Sequence, residues 1–129
     1  MTFEFWTLFL AAILGLVHLS AASFAFKAQV GNSYTVGARD AGLQPTGLAG
    51  RLQRAQSNFL ETFPIFVAVI FLLDAIGSFD GLSQWGCGIY LAGRALYLPL
   101  YAAGIPWLRT FSWNLATLGL VLAGASIVW

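Results

Sequence analysis

The chain has 129 residues, a net charge of +1, a mean hydropathy of +0.79 and 59% hydrophobic residues. Only 9% of its residues are charged, where a soluble domain carries about 25%. That excludes an ordinary soluble domain. Six Lys/Arg against five Asp/Glu leave no basic field for nucleic acid, and 16% aromatic residues exclude a disordered chain. A polytopic, all-α membrane protein remains, with room for four spans of roughly 20 residues each.

The first predicted span covers residues 3–26. Glu4 stands where a cleavable signal needs positive charge, so the segment reads as a retained helix. His18 is its one polar oddity and is expected to make a hydrogen-bonded helix–helix contact. Residues 28–50 follow as a long loop, broken by Gly31, Gly37, Gly42, Gly47, Gly50 and Pro45.

The second helix is predicted over 51–76. Its uninterrupted apolar run, Phe63 to Leu73, is too short to cross a bilayer core about 30 Å thick. The helix must therefore extend back through Glu61, Asn58, Arg54 and Arg51. These four recur at steps of three, four and three, which lines one helix face. The third helix, 83–103, carries Tyr90, Arg94, Tyr97 and Tyr101 on a stripe of its own. Arg94 lies near mid-span, where a charge costs roughly 2.5–3.5 kcal/mol on insertion scales and implies a partner. Glu61 is the expected one. The fourth helix, 111–129, has no charge.

Lys27, Arg39, Arg51, Arg54 and Arg109 fall in or beside the first and third loops. The positive-inside rule then places those loops in the cytoplasm and both termini on the opposite side. Trp6, Trp85, Trp107 and Trp129 fall at span ends, as interfacial tryptophans do. Cys87 is expected as a small packing residue. One histidine and no acid cluster give no metal site. Small pairs at Ala11/Gly15, Gly88/Ala92 and Gly119/Ala123 would permit close helix contact. Pro64 and Pro99 are expected to kink their helices.

The string Arg51-x-x-Arg54-Ala55-Gln56-x-Asn58-x-x-Glu61-x-x-Pro64 resembles the second-helix signature of the membrane-associated proteins in eicosanoid and glutathione metabolism. That family includes the microsomal glutathione transferases. Arg94, Tyr97 and Tyr101 resemble its third-helix residues, and Gly37-Ala38-Arg39-Asp40 looks like the bacterial branch. Ser57 and Thr62 depart from it, standing where some members carry arginine and tyrosine.

The resemblance implies a homotrimer of four-helix subunits in a bacterial inner membrane. Glutathione, as co-substrate, would bind between subunits at Arg51, Arg54, Gln56, Asn58, Glu61, Arg94, Tyr97 and Tyr101. Arg109 and Tyr101 would be catalytic, holding the thiolate for attack on an apolar electrophile or lipid hydroperoxide. The alternatives are a non-catalytic lipid-binding or scaffold member of the same family, and a small proton-coupled exporter with Glu61 as its carrier acid.

Overall fold

Thr2 opens the first helix: it is extended, and its hydroxyl accepts the Phe5 N–H at 3.4 Å. In the computed structural model, which describes residues 1–129, the elements are α1 Phe3–Val30, α2 Asn32–Val36, α3 Gly47–Ile76, α4 Gly81–Ala102 and α5 Pro106–Ala125. No strand is present.

Several boundaries differ from the sequence expectation, each for a local reason. α1 continues past residue 26 to Val30, because nothing breaks it before Gly31, whose φ of 92° suits glycine. The loop expected over 28–50 contains α2 and the start of α3, which Thr46 opens from an extended conformation. α5 begins at Pro106 and not at 111, since proline at the first helical position gives up an N–H that has no partner there anyway. Gly104, at φ 73°, makes the reversal between α4 and α5.

α1 is apolar on the outside. Its buried residues are Glu4, Thr7, Ala11, His18 and Ala22, all small or polar, while Phe9, Leu10, Ile13, Leu16, Val17 and Phe24 are exposed. A water-soluble helix does the reverse. α1 and α3 are each long and apolar enough to cross a membrane. Trp85, Trp107 and Trp129 stand almost fully exposed near helix ends.

The tightest pairing is α4 with α5. Gly86 and Gly93 of α4 meet Gly119, Ala123 and Ala116 of α5 backbone to backbone. Gly119 and Ala123 thus work as expected, but Gly86 and Gly93 face them, whereas Gly88 lies beside the Phe3 ring. Ser112 fastens the seam by donating to the Gly93 carbonyl at 2.6 Å. α1 packs on α3 and α4 over Ala11, Phe66, Ile70, Cys87 and Tyr90, with Phe66 stacked on Tyr90 at 4.1 Å. Cys87 is fully buried there, as its small size predicts. Pro64 and Pro99 lie inside α3 and α4, each removing one donor from the helix ladder.

Polar groups tie the opposite end. Ser83 donates to the buried Glu4 carboxylate at 2.6 Å. Asp80 caps α4 by accepting the Ser83 N–H at 2.8 Å, and it also accepts from Ser126 at 3.0 Å. The Ser83 N–H, above all, holds the Asp80 carboxyl below its usual range. A depressed carboxyl contributes stability that is present above its unfolded pKa, about 3.9, and is lost as pH falls through the lower folded value. Thermal unfolding of Asp80→Asn should therefore show less destabilisation below pH 4 than wild type and lower stability at pH 7. Parallel pH profiles for the two proteins would refute this role.

Candidate functional site

The two predicted stripes meet where α3 faces α4. At the end shared by the α4 C-terminus and the α5 N-terminus, three cationic side chains converge. Arg51 donates Nε to the Ala102 carbonyl at 2.9 Å, satisfying an acceptor that the helix end leaves open. Arg54 donates Nε to the Tyr101 hydroxyl at 3.1 Å, and its guanidinium carbon lies 5.9 Å from that ring's centre. Arg109, in the first turn of α5, places its guanidinium 4.5 Å over the same ring. Tyr101 is thus shared by two arginines from two helices.

Below this mouth lies a second, enclosed layer. Tyr101 meets Tyr97 edge to face at 5.4 Å. Arg94 stacks 4.5 Å over Tyr97 and 5.5 Å from Phe59, and Nη1 donates to the Asn58 Oδ1 at 2.8 Å. That bond settles the amide's orientation, because a guanidinium can donate only to the oxygen. The Asn58 NH2 group is left free to donate elsewhere. Thr62 and Tyr90 pair at 3.0 Å one layer deeper.

Three sequence expectations change. Arg94 is partnered by Asn58 and not by Glu61, whose side chain is exposed on α3. Arg94 is also fully enclosed, so it stands behind the site and not on its wall. Its Nε and Nη2, and both ring nitrogens of His18, have no hydrogen-bond partner. His18 is therefore no hydrogen-bonded helix contact: it stacks on Phe59 at 4.9 Å, with Gly15 leaving room for that ring.

The structure does not gather all eight expected glutathione contacts. Arg54, Tyr101 and Arg109 form one cluster, and Asn58, Arg94 and Tyr97 a second beneath it. Gln56 turns elsewhere, into a cavity of about 620 Å³ between the α1 end, α2 and α3, which Lys27 and Arg39 also line. Sequence reasoning missed this cavity. Its only signal in the sequence was the pair of cations Lys27 and Arg39 at the end of the first span and in the loop after it, which charge counting assigns to topology.

A helical bundle that turns its apolar side chains outward, encloses an arginine and gathers two more around one tyrosine is an integral membrane protein with a polar site at one mouth. A sequence model of the MAPEG family matches residues 3–129, so the chain belongs to that family of membrane proteins in glutathione and eicosanoid metabolism. Searches of the curated proteins and of the solved structures found no match.

Proposed function

We propose that the protein is a glutathione-dependent transferase or peroxidase acting on apolar electrophiles or lipid hydroperoxides. It would assemble as a homotrimer of four-span subunits, with loops one and three cytoplasmic. The observation that carries the reading is the stack of Arg54, Tyr101 and Arg109.

Glutathione has two carboxylates, one ammonium and one thiol. The residues present offer a partner for each kind of group. Arg54 offers a fork for a carboxylate, the Asn58 NH2 group donates, and the exposed Glu61 carboxylate suits an ammonium. Gln56 faces away from this cluster, which supports a site completed by a neighbouring subunit.

A free thiol has a pKa near 8.5, so only about 3% is thiolate at pH 7. Lowering it by two units gives roughly 75%, at about 2.7 kcal/mol of preferential thiolate binding. Arg109, with Tyr101 as second donor, supplies a cation and a hydroxyl for that purpose. In a transferase the sulfur bonds to the electrophilic carbon as the leaving group departs with its electron pair.

Calorimetry on detergent-solubilised protein tests the reading, with thiolate followed by its ultraviolet absorbance. Wild type should bind glutathione saturably and show thiolate near neutral pH. Arg54→Ala should bind roughly 10- to 150-fold more weakly, the loss expected for hydrogen bonds to a charged group. Binding without thiolate would make this a non-catalytic member of the family. No binding at millimolar glutathione would remove both roles.

A further inference from the structure

The reversal between α4 and α5 has one carbonyl that its own backbone cannot serve. The Ala103 N–H donates to the Pro99 carbonyl at 2.9 Å, the Gly104 N–H to the Tyr101 carbonyl at 3.0 Å and the Ile105 N–H to the Leu100 carbonyl at 3.1 Å. That is a Schellman-type helix end, with Gly104 left-handed at φ 73°. The Ala102 carbonyl is left over. In a continuing helix its donor would be residue 106, and Pro106 has no N–H. Arg51 fills the gap from α3, donating Nε at 2.9 Å. Its stem lies along the turn: a Cβ on Gly104 would stand 3.9 Å from the Arg51 Cδ.

Within the subunit little else holds this turn. Residues 103–108 are all exposed, with Trp107 at 85% and Leu108 at 55%, so packing does not fix them. Thr110 bonds to the Pro106 carbonyl at 2.9 Å, but that ties α5 only to itself. The two side chains of the mouth stand on either side of the Arg51 bond. Tyr101 immediately precedes Ala102, and Arg109 follows in the first turn of α5, its N–H on the Ile105 carbonyl at 3.2 Å. The Arg109 guanidinium keeps its place 4.5 Å over the Tyr101 ring only while the reversal keeps its shape. The α3 stripe therefore grips the mouth twice: Arg54 holds the Tyr101 hydroxyl, and Arg51 holds the backbone of the next residue.

We propose that Arg51 is a positioning residue for Arg109 and not a contact of the tripeptide. Its bond to Ala102 fixes the α4–α5 reversal, and the reversal fixes where the Arg109 guanidinium lies over Tyr101. The proposal rests on the reading of Arg109 as the group that holds the thiolate.

Hydrogen exchange read by mass spectrometry follows the turn in the detergent-solubilised protein, without any ligand. Arg51→Met keeps an unbranched stem but cannot donate, and peptides over residues 99–110 should exchange about tenfold faster than in wild type. Arg51→Lys, whose ammonium can make the single bond, should stay close to wild type. Ultraviolet absorbance then gives the pH profile of the bound glutathione thiolate. Its midpoint should rise by about one unit in Arg51→Met, a roughly tenfold change in the thiol–thiolate equilibrium, and return in Arg51→Lys. S-methylglutathione keeps the tripeptide and has no thiol to ionise. It should bind Arg51→Met within about twofold of wild type, since Arg51 shares no partner with it. A loss of roughly tenfold or more in that affinity would make Arg51 a ligand contact and overturn the proposal. Faster exchange with an unmoved thiolate midpoint would overturn it too, leaving the bond an anchor of the fold alone, and so would unchanged exchange. A wild type that shows no thiolate would remove the proposed function itself. That failure is distinguishable, because it appears before any variant is compared.

Discussion

Gly119→Val should unfold the bundle. A Cβ at Gly119 would press on the Tyr90 nitrogen, 2.7 Å from the Gly86 oxygen and 3.0 Å from the Ile89 carbonyl carbon. All three are backbone atoms, so no side chain can rotate aside. The reciprocal contacts at Gly86 and Gly93 repeat the close approach along the same seam. To admit the new side chain, α4 and α5 must move apart and lose packing along their length. Overpacking usually costs about 1–3 kcal/mol; here, with backbone on both sides, about 3 kcal/mol or more is expected. Gly88→Ala is the control, since its Cβ would meet only the Phe3 ring, at 3.6 Å. It should be neutral or slightly stabilising, alanine being the better helix former. Thermal unfolding in one detergent compares the two. Equal melting temperatures would mean that the α4–α5 seam is looser than its geometry indicates.

Arg94→Met should raise stability and lower glutathione affinity together. Arg94 is fully enclosed, has one hydrogen bond, to Asn58, and leaves Nε and Nη2 without acceptors. An enclosed charge without a carboxylate partner is a poor contributor to stability, and an unbranched apolar side chain of similar length fills its place. A gain on the order of 1 kcal/mol or more is expected in unfolding measurements. The same change frees the Asn58 amide to rotate, so its NH2 group no longer faces one way. Glutathione affinity should then fall roughly tenfold. A cycle with Asn58→Leu identifies the route: if Arg94 acts through Asn58, the double variant binds no worse than Asn58→Leu alone. Losses that simply add would mean that Arg94 touches the ligand itself.

The two cases differ in what the sequence could announce. A charged fraction of 9% and helix-length apolar runs imply a membrane protein without any knowledge of packing. The stripe Arg51, Arg54, Asn58 and Glu61 is equally legible, because the helical repeat fixes which side chains share a face. Helix ends were less so. Lys27 looked like a terminus and is not one, since a single charge does not stop a helix, whereas Gly31 does. Pro106 precedes the expected start at 111 and begins α5.

Partners were the least legible. Glu61 and Asn58 lie on one stripe, within reach of Arg94 by spacing alone, yet only Asn58 meets it. The choice depends on how far α3 is rotated about its axis against α4. That rotation is set by packing at Phe59, Phe66 and the α1 contact at Gly15, residues distant in the sequence. Arg51 finds the Ala102 carbonyl for the same reason, and Gln56 turns into the Lys27 cavity and away from Tyr101. The sequence by itself determined the solvent, the helices and the faces on which charges lie, because those follow from composition and a local period. Only the tertiary structure decided which charge meets which partner, because each pairing is made between helices and depends on their mutual rotation and approach.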